Sequence, residues 1–273
     1  MHPKHLFARH HIDPKRSLGQ NFLYDDQVLA RIAGAAELAP ADNVLEIGPG
    51  VGALTQHLAA QAGRVVAVEL DNRLLPILRQ ELAACDNVTL VHGDILAQDP
   101  AGWFQAQPYK VVANVPYYIT GAILRHLLGS WPRPRRLVLT VQREVADRLT
   151  ARPPEMSLLA VSVQHYGRVR LVSGVRAGAF WPRPEVDSAV ARIDVDARHL
   201  AARAAEADAA EAAFFRVVRA GFSEKRKQLK NNLRQLGHDD AAIVVALARA
   251  GIDGRRRAET LTVAEWASLS ELL

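Results

Sequence analysis

Short apolar runs recur along the first half of the chain, and each stops at glycine or a polar residue. Val44, Leu45 and Ile47 form one such run, which reads as a buried strand halted by Gly48-Pro49-Gly50-Val51-Gly52. Residues 53–60 then have helical character. A second run over residues 64–68 predicts a strand ending in Glu69, and residues 72–84 carry Leu74, Leu75, Ile77, Leu78 and Leu82 as a helix. Residues 87–91 predict a third strand ending at His92-Gly93-Asp94, and residues 110–113 a fourth ending in Asn114-Val115-Pro116-Tyr117. Strand and helix alternating at this spacing predict an α/β fold with a parallel sheet. Upstream, Val28, Leu29, Ile32 and Ala36 mark an amphipathic helix over 27–37, capped by Asp25 or Asp26. Downstream, Val190, Ile193 and Val195 alternate in a closing strand over 188–195. Residues 197–213 then shift abruptly to Ala, Arg and Glu, a composition that favours helix. The expected division is therefore 1–196 for the α/β domain and 197–273 for a small all-helical domain. Within the latter, Phe222, Leu229, Leu233 and Leu236 form a stripe at helical spacing, and 263–273 reads as a final packing helix.

With 273 residues, 49% of them hydrophobic, the chain supports a large domain plus a small one and excludes global disorder. The net charge of +5, carried mostly by arginine, points to an acidic partner, nucleic acid before membrane. The single cysteine, Cys85, excludes an internal disulfide and a Cys-based zinc site. No apolar run reaches the roughly 18 residues of a membrane span. Residues 1–16 lack the apolar core of a secretory signal, so a cytoplasmic location is expected. Those residues carry His2, His5, His10 and His11 among Lys4, Arg9, Lys15 and Arg16. Their spacing suits no ordinary metal site, and the reading adopted is a mobile basic arm that touches phosphate.

The chemistry collects at strand ends. Strand, glycine turn and helix open a nucleotide-binding α/β unit, where glycine lets the backbone turn tightly and approach a ligand. An acidic residue at the next strand end, here Glu69, is where a ribose hydroxyl pair would be held. Asp94, at the third strand end, could accept from an adenine amino group; alone it would also serve as a helix cap. The fourth strand end is the most telling. An adenine exocyclic amine is a poor nucleophile because its lone pair is delocalised. The side-chain carbonyl of Asn114 and the backbone carbonyl of Pro116 can both accept from that NH2 and point its lone pair at a methyl donor. Tyr117 can stack on an extruded base. The glycines follow GxGxG, not the GxGxxG of dinucleotide binders, which disfavours a dehydrogenase.

The GxGxG spacing resembles motif I of the Rossmann-like class I S-adenosylmethionine-dependent methyltransferases. Gln20-Asn21-Phe22-Leu23, Glu46-Ile47-Gly48-Pro49-Gly50, Glu69-Leu70-Asp71, Gly93-Asp94, Asn114-Val115-Pro116-Tyr117, Gln142-Arg143-Glu144-Val145-Ala146 with Arg148, and Phe180-Trp181-Pro182-Arg183-Pro184-Glu185-Val186-Asp187-Ser188 occur in the order of the ribosomal RNA adenine N6-dimethyltransferases. The chain is most similar to the small-subunit (16S), kasugamycin-sensitivity branch, over roughly residues 15–236. The resemblance implies S-adenosylmethionine as methyl donor, with Asn21, Leu23, Gly48, Gly50, Glu69, Asp94 and Asn114 around it. It implies that Asn114, Pro116 and Tyr117 form the target pocket and that Phe180 closes over the target base, the alternative for Phe180 being a core anchor beneath the proline-rich turn. It further implies 16S rRNA in the small ribosomal subunit or its precursor as partner, two adjacent adenines near the 3′ end as target, and a monomer as the working form. Tyr118 departs from the family, which usually has Asn there, and residues 155–159 lack its Tyr-Gly pair.

Lys225, Arg226, Lys227, Lys230 and Arg234 load the 222–234 stripe with positive charge. A solvated charged face would look the same, but the stretch resembles the basic helix of the small-subunit enzymes and reads as an rRNA contact. Arg255-Arg256-Arg257 offers a second phosphate contact. The rival readings are a macrolide-resistance dimethyltransferase acting on 23S rRNA and a non-catalytic RNA-binding assembly or transcription factor on the same fold.

Overall fold

Among the described residues nine strands carry the architecture, seven of them in one sheet of order β4-β3-β2-β5-β6-β9-β7. The strands are β1 (Phe22–Leu23), β2 (Asn43–Ile47), β3 (Arg64–Glu69), β4 (Val88–His92), β5 (Tyr109–Asn114), β6 (Arg136–Gln142), β7 (Gly167–Val175), β8 (Phe180–Trp181) and β9 (Ser188–Val195). The structure, a computed structural model, describes residues 2–105, 107–201 and 205–273, residues 205–207 by backbone alone. β2 pairs in parallel with β3 on one side and β5 on the other, and β3 with β4 and β5 with β6 are parallel too. β9 runs antiparallel to β6. The parallel strands are near-continuous apolar runs because helices cover both faces of such a sheet. Val44, Val65, Val112, Val138 and Val190, from five strands, bury against Leu29 and Ile32 of α2 (Asp26–Ala35) and against Leu54 and Leu58 of α3 (Ala53–Ala59). Asp25 is the cap of α2, its carboxylate accepting from the Val28 N–H at 3.1 Å.

The chain divides into two compact units, Met1–Ala146 with Arg168–Leu200, and Asp147–Gly167 with Ala201–Leu273. A single division at 196 would leave 147–167 with the sheet. The physical reason for the difference is that Met156, Ala160 and Val161 bury in one cluster with Phe214, Val217, Leu229 and Trp266. The first unit also holds α1 (Pro3–Arg9), α4 (Leu75–Glu81), α5 (Ala101–Phe104) and α6 (Thr120–Gly129), and α7 (Arg143–Leu149) runs across the division. In the second unit are α8 (Leu158–Gln164) and, after the short α9 (Ala197–Leu200) of the first, α10 (Ala205–Gly221), α11 (Leu229–Leu233), α12 (Asp240–Arg249) and α13 (Val263–Ser270). Residues 202–204 of the alanine-rich stretch lie outside the described residues.

Two expectations need correction. The N-terminal segment is no mobile arm: α1 buries Leu6 and Phe7, each 2% exposed, against Phe22 and the Leu74–Leu78 stretch. Burying two such side chains contributes on the order of 3–6 kcal/mol, enough to hold a helix too short to persist alone. Residues 222–234 are not one helix either. α10 ends at Gly221, residues 223–227 are turns and bends, α11 begins at Leu229, and Arg234 lies in a following 3-10 turn. Gly221 packs where a Cβ would stand 2.2 Å from the Trp266 ring. The Asn232 amide donates to the carbonyl of Gly221 (2.6 Å), one that the end of α10 leaves free, and to that of Glu224 (3.0 Å) in the following turn.

Candidate active site

The strand order reverses at β2, between β3 and β5, and in open parallel sheets ligands bind in the crevice outside such a reversal. The residues at or just past the ends of β2, β3, β4 and β5 line one cleft there: Gly48, Glu69, Asp94 and Asn114. The ladder extends one step past the strands, with the Gly48 N–H donating to Val68 O and the Gly93 N–H to Glu69 O, both at 2.9 Å. Gly48 and Gly50 have φ +66° and +62°, which L side chains rarely adopt. A Cβ at Gly48 would meet nothing within 4 Å, so the room is left on the ligand side. A Cβ at Gly50 would stand 2.9 Å from Phe22, whose ring lies against the turn.

Two buried glutamates have different circumstances. Glu69 is 6% exposed; one oxygen accepts from the Gly50 N–H at 3.1 Å and the other from the Asp71 N–H at 2.8 Å. Each carboxylate oxygen keeps acceptor capacity for a ligand hydroxyl. Burial raises its pKa, and those backbone donors pull against the rise. Glu46 is 1% exposed, and its Oε2 is buried without a hydrogen-bond partner. Burial pushes it up to about 8, with the neighbouring Glu69 charge adding, so it holds its proton at neutral pH. Asp94 is the helix cap its sequence position allows, Oδ1 accepting from the Leu96 N–H at 2.9 Å to cap a 3-10 turn, and the residue also lines the cleft.

Asn114 is oriented by the backbone. Its amide NH2 donates to the carbonyl of Asn21 at 2.9 Å, which leaves the side-chain oxygen as acceptor. The segment that supplies this carbonyl is tied down through Asp71, which is 1% exposed and accepts from Gln20 at 2.9 Å and pairs with Lys15 at 3.4 Å. The Arg73 guanidinium beside Asp71, followed by the Gln20 bond, holds its carboxyl well below the usual range. The Pro116 carbonyl accepts from the Ile119 N–H at 3.2 Å and retains a second lone pair. Tyr117 is half-buried with its hydroxyl 2.6 Å from Ser188 Oγ; burial raises its pKa.

The cleft thus gathers Asn21, Leu23, Gly48, Gly50, Glu69, Asp94, Asn114, Pro116 and Tyr117. Phe180 is the exception and a correction. It pairs with Leu23 across the β1–β8 ladder, is 3% exposed, and packs in the core with Val175, Ala179 and Val190. It is not among the cleft residues, and its side chain here is a core anchor. Sequence reasoning missed the Asp71 tether and the Ser188 partner of Tyr117. The amides of 17–25 hinted at the first, and nothing local signalled the second. The donor set fits a nucleoside carrying a ribose: a buried carboxylate with spare acceptors at one strand end, a second acidic acceptor at the next, and a turn open to close approach. In the other unit Lys225, Arg226 and Lys230 make no ion pair among the described residues, whereas Lys227 pairs with Glu224 (2.7 Å) and Arg234 with Asp240 (2.5 Å). Arg255 and Arg256 pair with Asp253 and Glu265.

The family model described as "Ribosomal RNA adenine dimethylase" matches residues 12–273. A protein of Moorella thermoacetica named "Ribosomal RNA small subunit methyltransferase A" is 48% identical over 271 residues, spanning 95% of this chain and 92% of its own. One of the same name from Dehalococcoides mccartyi is 44% identical over 268 residues, spanning 97% and 90%. Among solved structures, the 23S rRNA methyltransferase ErmE is similar with a TM-score of 0.74 at 32% identity, over 93% of this chain and 99% of its own. A dimethyladenosine transferase from Plasmodium falciparum shares the fold with a TM-score of 0.77 at 22% identity, over 91% and 95%. With its class I methyltransferase sheet and its strand-end cleft, the chain belongs to the ribosomal RNA adenine dimethylase family.

Proposed function

We propose that this enzyme dimethylates N6 of two adjacent adenines near the 3′ end of 16S rRNA, in the small subunit or its precursor, acting as a cytoplasmic monomer. S-adenosylmethionine, when bound, supplies an electrophilic methyl group. Glu69 accepts from its ribose hydroxyls, Asp94 from its adenine amine, and Gly48 admits its methionine part close to the backbone. The target adenine, drawn from its stack, lies against Tyr117. Its amine donates to Asn114 Oδ1 and to the Pro116 carbonyl, which turns the nitrogen lone pair away from both acceptors. Catalysis is then mainly positioning, and the methylated nitrogen, acidic while it carries positive charge, releases its proton without a strong base. The hydrogen bond from Asn114 to the Asn21 carbonyl carries this reading, because it commits the amide NH2 and reserves the oxygen for substrate. Lys225, Arg226, Lys227, Lys230 and Arg234 supply rRNA phosphate contacts, the three without ion pairs foremost.

The likeness to ErmE makes large-subunit rRNA the competing target. Labelled S-adenosylmethionine incubated with small and large subunits lacking adenine dimethylation, followed by mapping of the labelled nucleotide, separates the two. Label as dimethyladenine on the small subunit alone is expected. Label on the large subunit alone would transfer the proposal to the resistance reaction. No label on either, with donor binding intact, would favour a binding factor.

A further inference from the structure

Two consecutive tyrosines at the cleft have opposite surroundings. Tyr117 is half-buried and its hydroxyl is bound to Ser188. Tyr118 is 62% exposed, and among the described residues its hydroxyl makes no hydrogen bond and its ring pairs with no other ring. It nevertheless lines the same cleft as Asn114. One edge of its ring rests on Gly19, where a Cβ would come 3.3 Å from Cδ1 and Cε1. Gly19 has φ +61° and belongs to the segment that Gln20 and Lys15 tie to Asp71. The ring is therefore supported by fixed backbone on one side and open on the other. A single exposed aromatic is ordinary on a protein surface. This one stands at the mouth of a site whose proposed substrate must leave its stack, and extrusion of one base strips its neighbour of a stacking partner.

We infer that Tyr118 is a stacking platform for the unpaired nucleobase adjoining the adenine held at Asn114. This rests on the adenine-site assignment above. Aromatic side chains beside single-stranded RNA bind bases by their π-faces with little regard to identity. Tyr118 accordingly selects for an unpaired neighbour, not for a particular base, and favours adjacent unpaired nucleotides over an isolated one.

The test uses the full chain and small subunits reconstituted with unmethylated rRNA, either unaltered or with an abasic nucleotide on the 5′ or 3′ side of the target pair. Tyr118→Ala is expected to lower kcat/KM on unaltered subunits by on the order of tenfold, with the donor dissociation constant by calorimetry unchanged, and Tyr118→Phe to recover most of that activity. The abasic nucleotide at one flank should lower wild-type kcat/KM by a similar factor and lower that of Tyr118→Ala little further. Losses that multiply at both flanks, a donor constant that shifts with the ring, or full activity of Tyr118→Ala would each overturn the inference. Failure of the underlying assignment would show separately, as wild-type protein that does not methylate unaltered subunits.

Discussion

The cleft at the strand ends and the basic segment of residues 222–234 hold their polar groups in contrasting ways. In the cleft, Glu69 and Asn114 are fixed by bonds to backbone groups, and buried Asp71 ties down through Gln20 the segment that Asn114 bonds to. In the basic segment the charges sit on turns and short helices at the surface, and two of the five are neutralised by carboxylates of the same chain. Fixed geometry is found where a nitrogen lone pair must be aimed. Attraction to phosphate, the part proposed for the basic segment, needs charge more than exact placement.

The contrast is broken most sharply at Asn114. Asn114→Ala removes the side-chain oxygen and leaves the Asn21 carbonyl unfilled, and methyl transfer should fall on the order of a hundred- to thousandfold, as for loss of one preorganised polar group. Donor affinity by calorimetry should hold within a few-fold; an equal loss of both would remove Asn114 from the amine. Glu46 tests burial without a ligand bond. Its carboxyl is raised from 4.5 to about 8, so between those values the folded state keeps a proton that the unfolded chain gives up. Stability from this group is complete below pH 4.5, declines as pH rises toward 8, and changes no further above. The decline is at most about 1.4 kcal/mol per pH unit, a few kcal/mol in all. Glu46→Gln cannot ionise, so its melting temperature should gain on the wild type steadily from about pH 5 to 8; parallel curves would refute the buried-proton assignment. Glu69→Ala comes next. It removes a charged acceptor and strands the Gly50 and Asp71 N–H groups, so donor affinity should weaken by about ten- to a hundredfold, and an unchanged dissociation constant would take Glu69 out of the ribose site.

How much of this is readable from sequence follows the same divide. The strands ending at Ile47, Glu69, His92 and Asn114 are legible because an apolar run stops where the chain emerges at the ligand edge, and parallel pairing then sets those ends in one row. The cap at Asp94 and its place at a strand end are legible too. The orientation of Asn114 is not, since it depends on a backbone carbonyl that leaves no mark in residue identity, nor is the Asp71 tether, whose partner Gln20 is 51 residues away. Two-residue strands such as β1 and β8 are too short to show a period, and with them the seat of Phe180 stays hidden. In α1 the histidines and basic residues mask the apolar pair Leu6 and Phe7, whose burial seats the segment. Residues 222–234 mislead in the other direction: the stripe at helical spacing is real, but Gly221 against Trp266 and the Asn232 bonds end one helix before the next begins.

The smallest effects lie in the basic segment, and there the comparison can be sharpened within one stretch of chain. Lys225 and Arg226 make no ion pair among the described residues, while Lys227 and Arg234 are paired at 2.7 Å and 2.5 Å. A cation already facing a carboxylate has less of its field to offer a phosphate, and it must give up that partner to bind. Lys225→Ala with Arg226→Ala should therefore weaken subunit binding several-fold and reduce the slope of log affinity against log salt by about 0.7–0.9 for each phosphate left without its cation. Lys227→Ala with Arg234→Ala should move both quantities less, and Glu224→Gln, which frees Lys227, should strengthen binding at low salt. Binding measured across a salt series decides the matter. Equal effects from the two pairs would mean that the segment acts only through its summed charge, and no change from either would make it a solvated face that the rRNA does not touch.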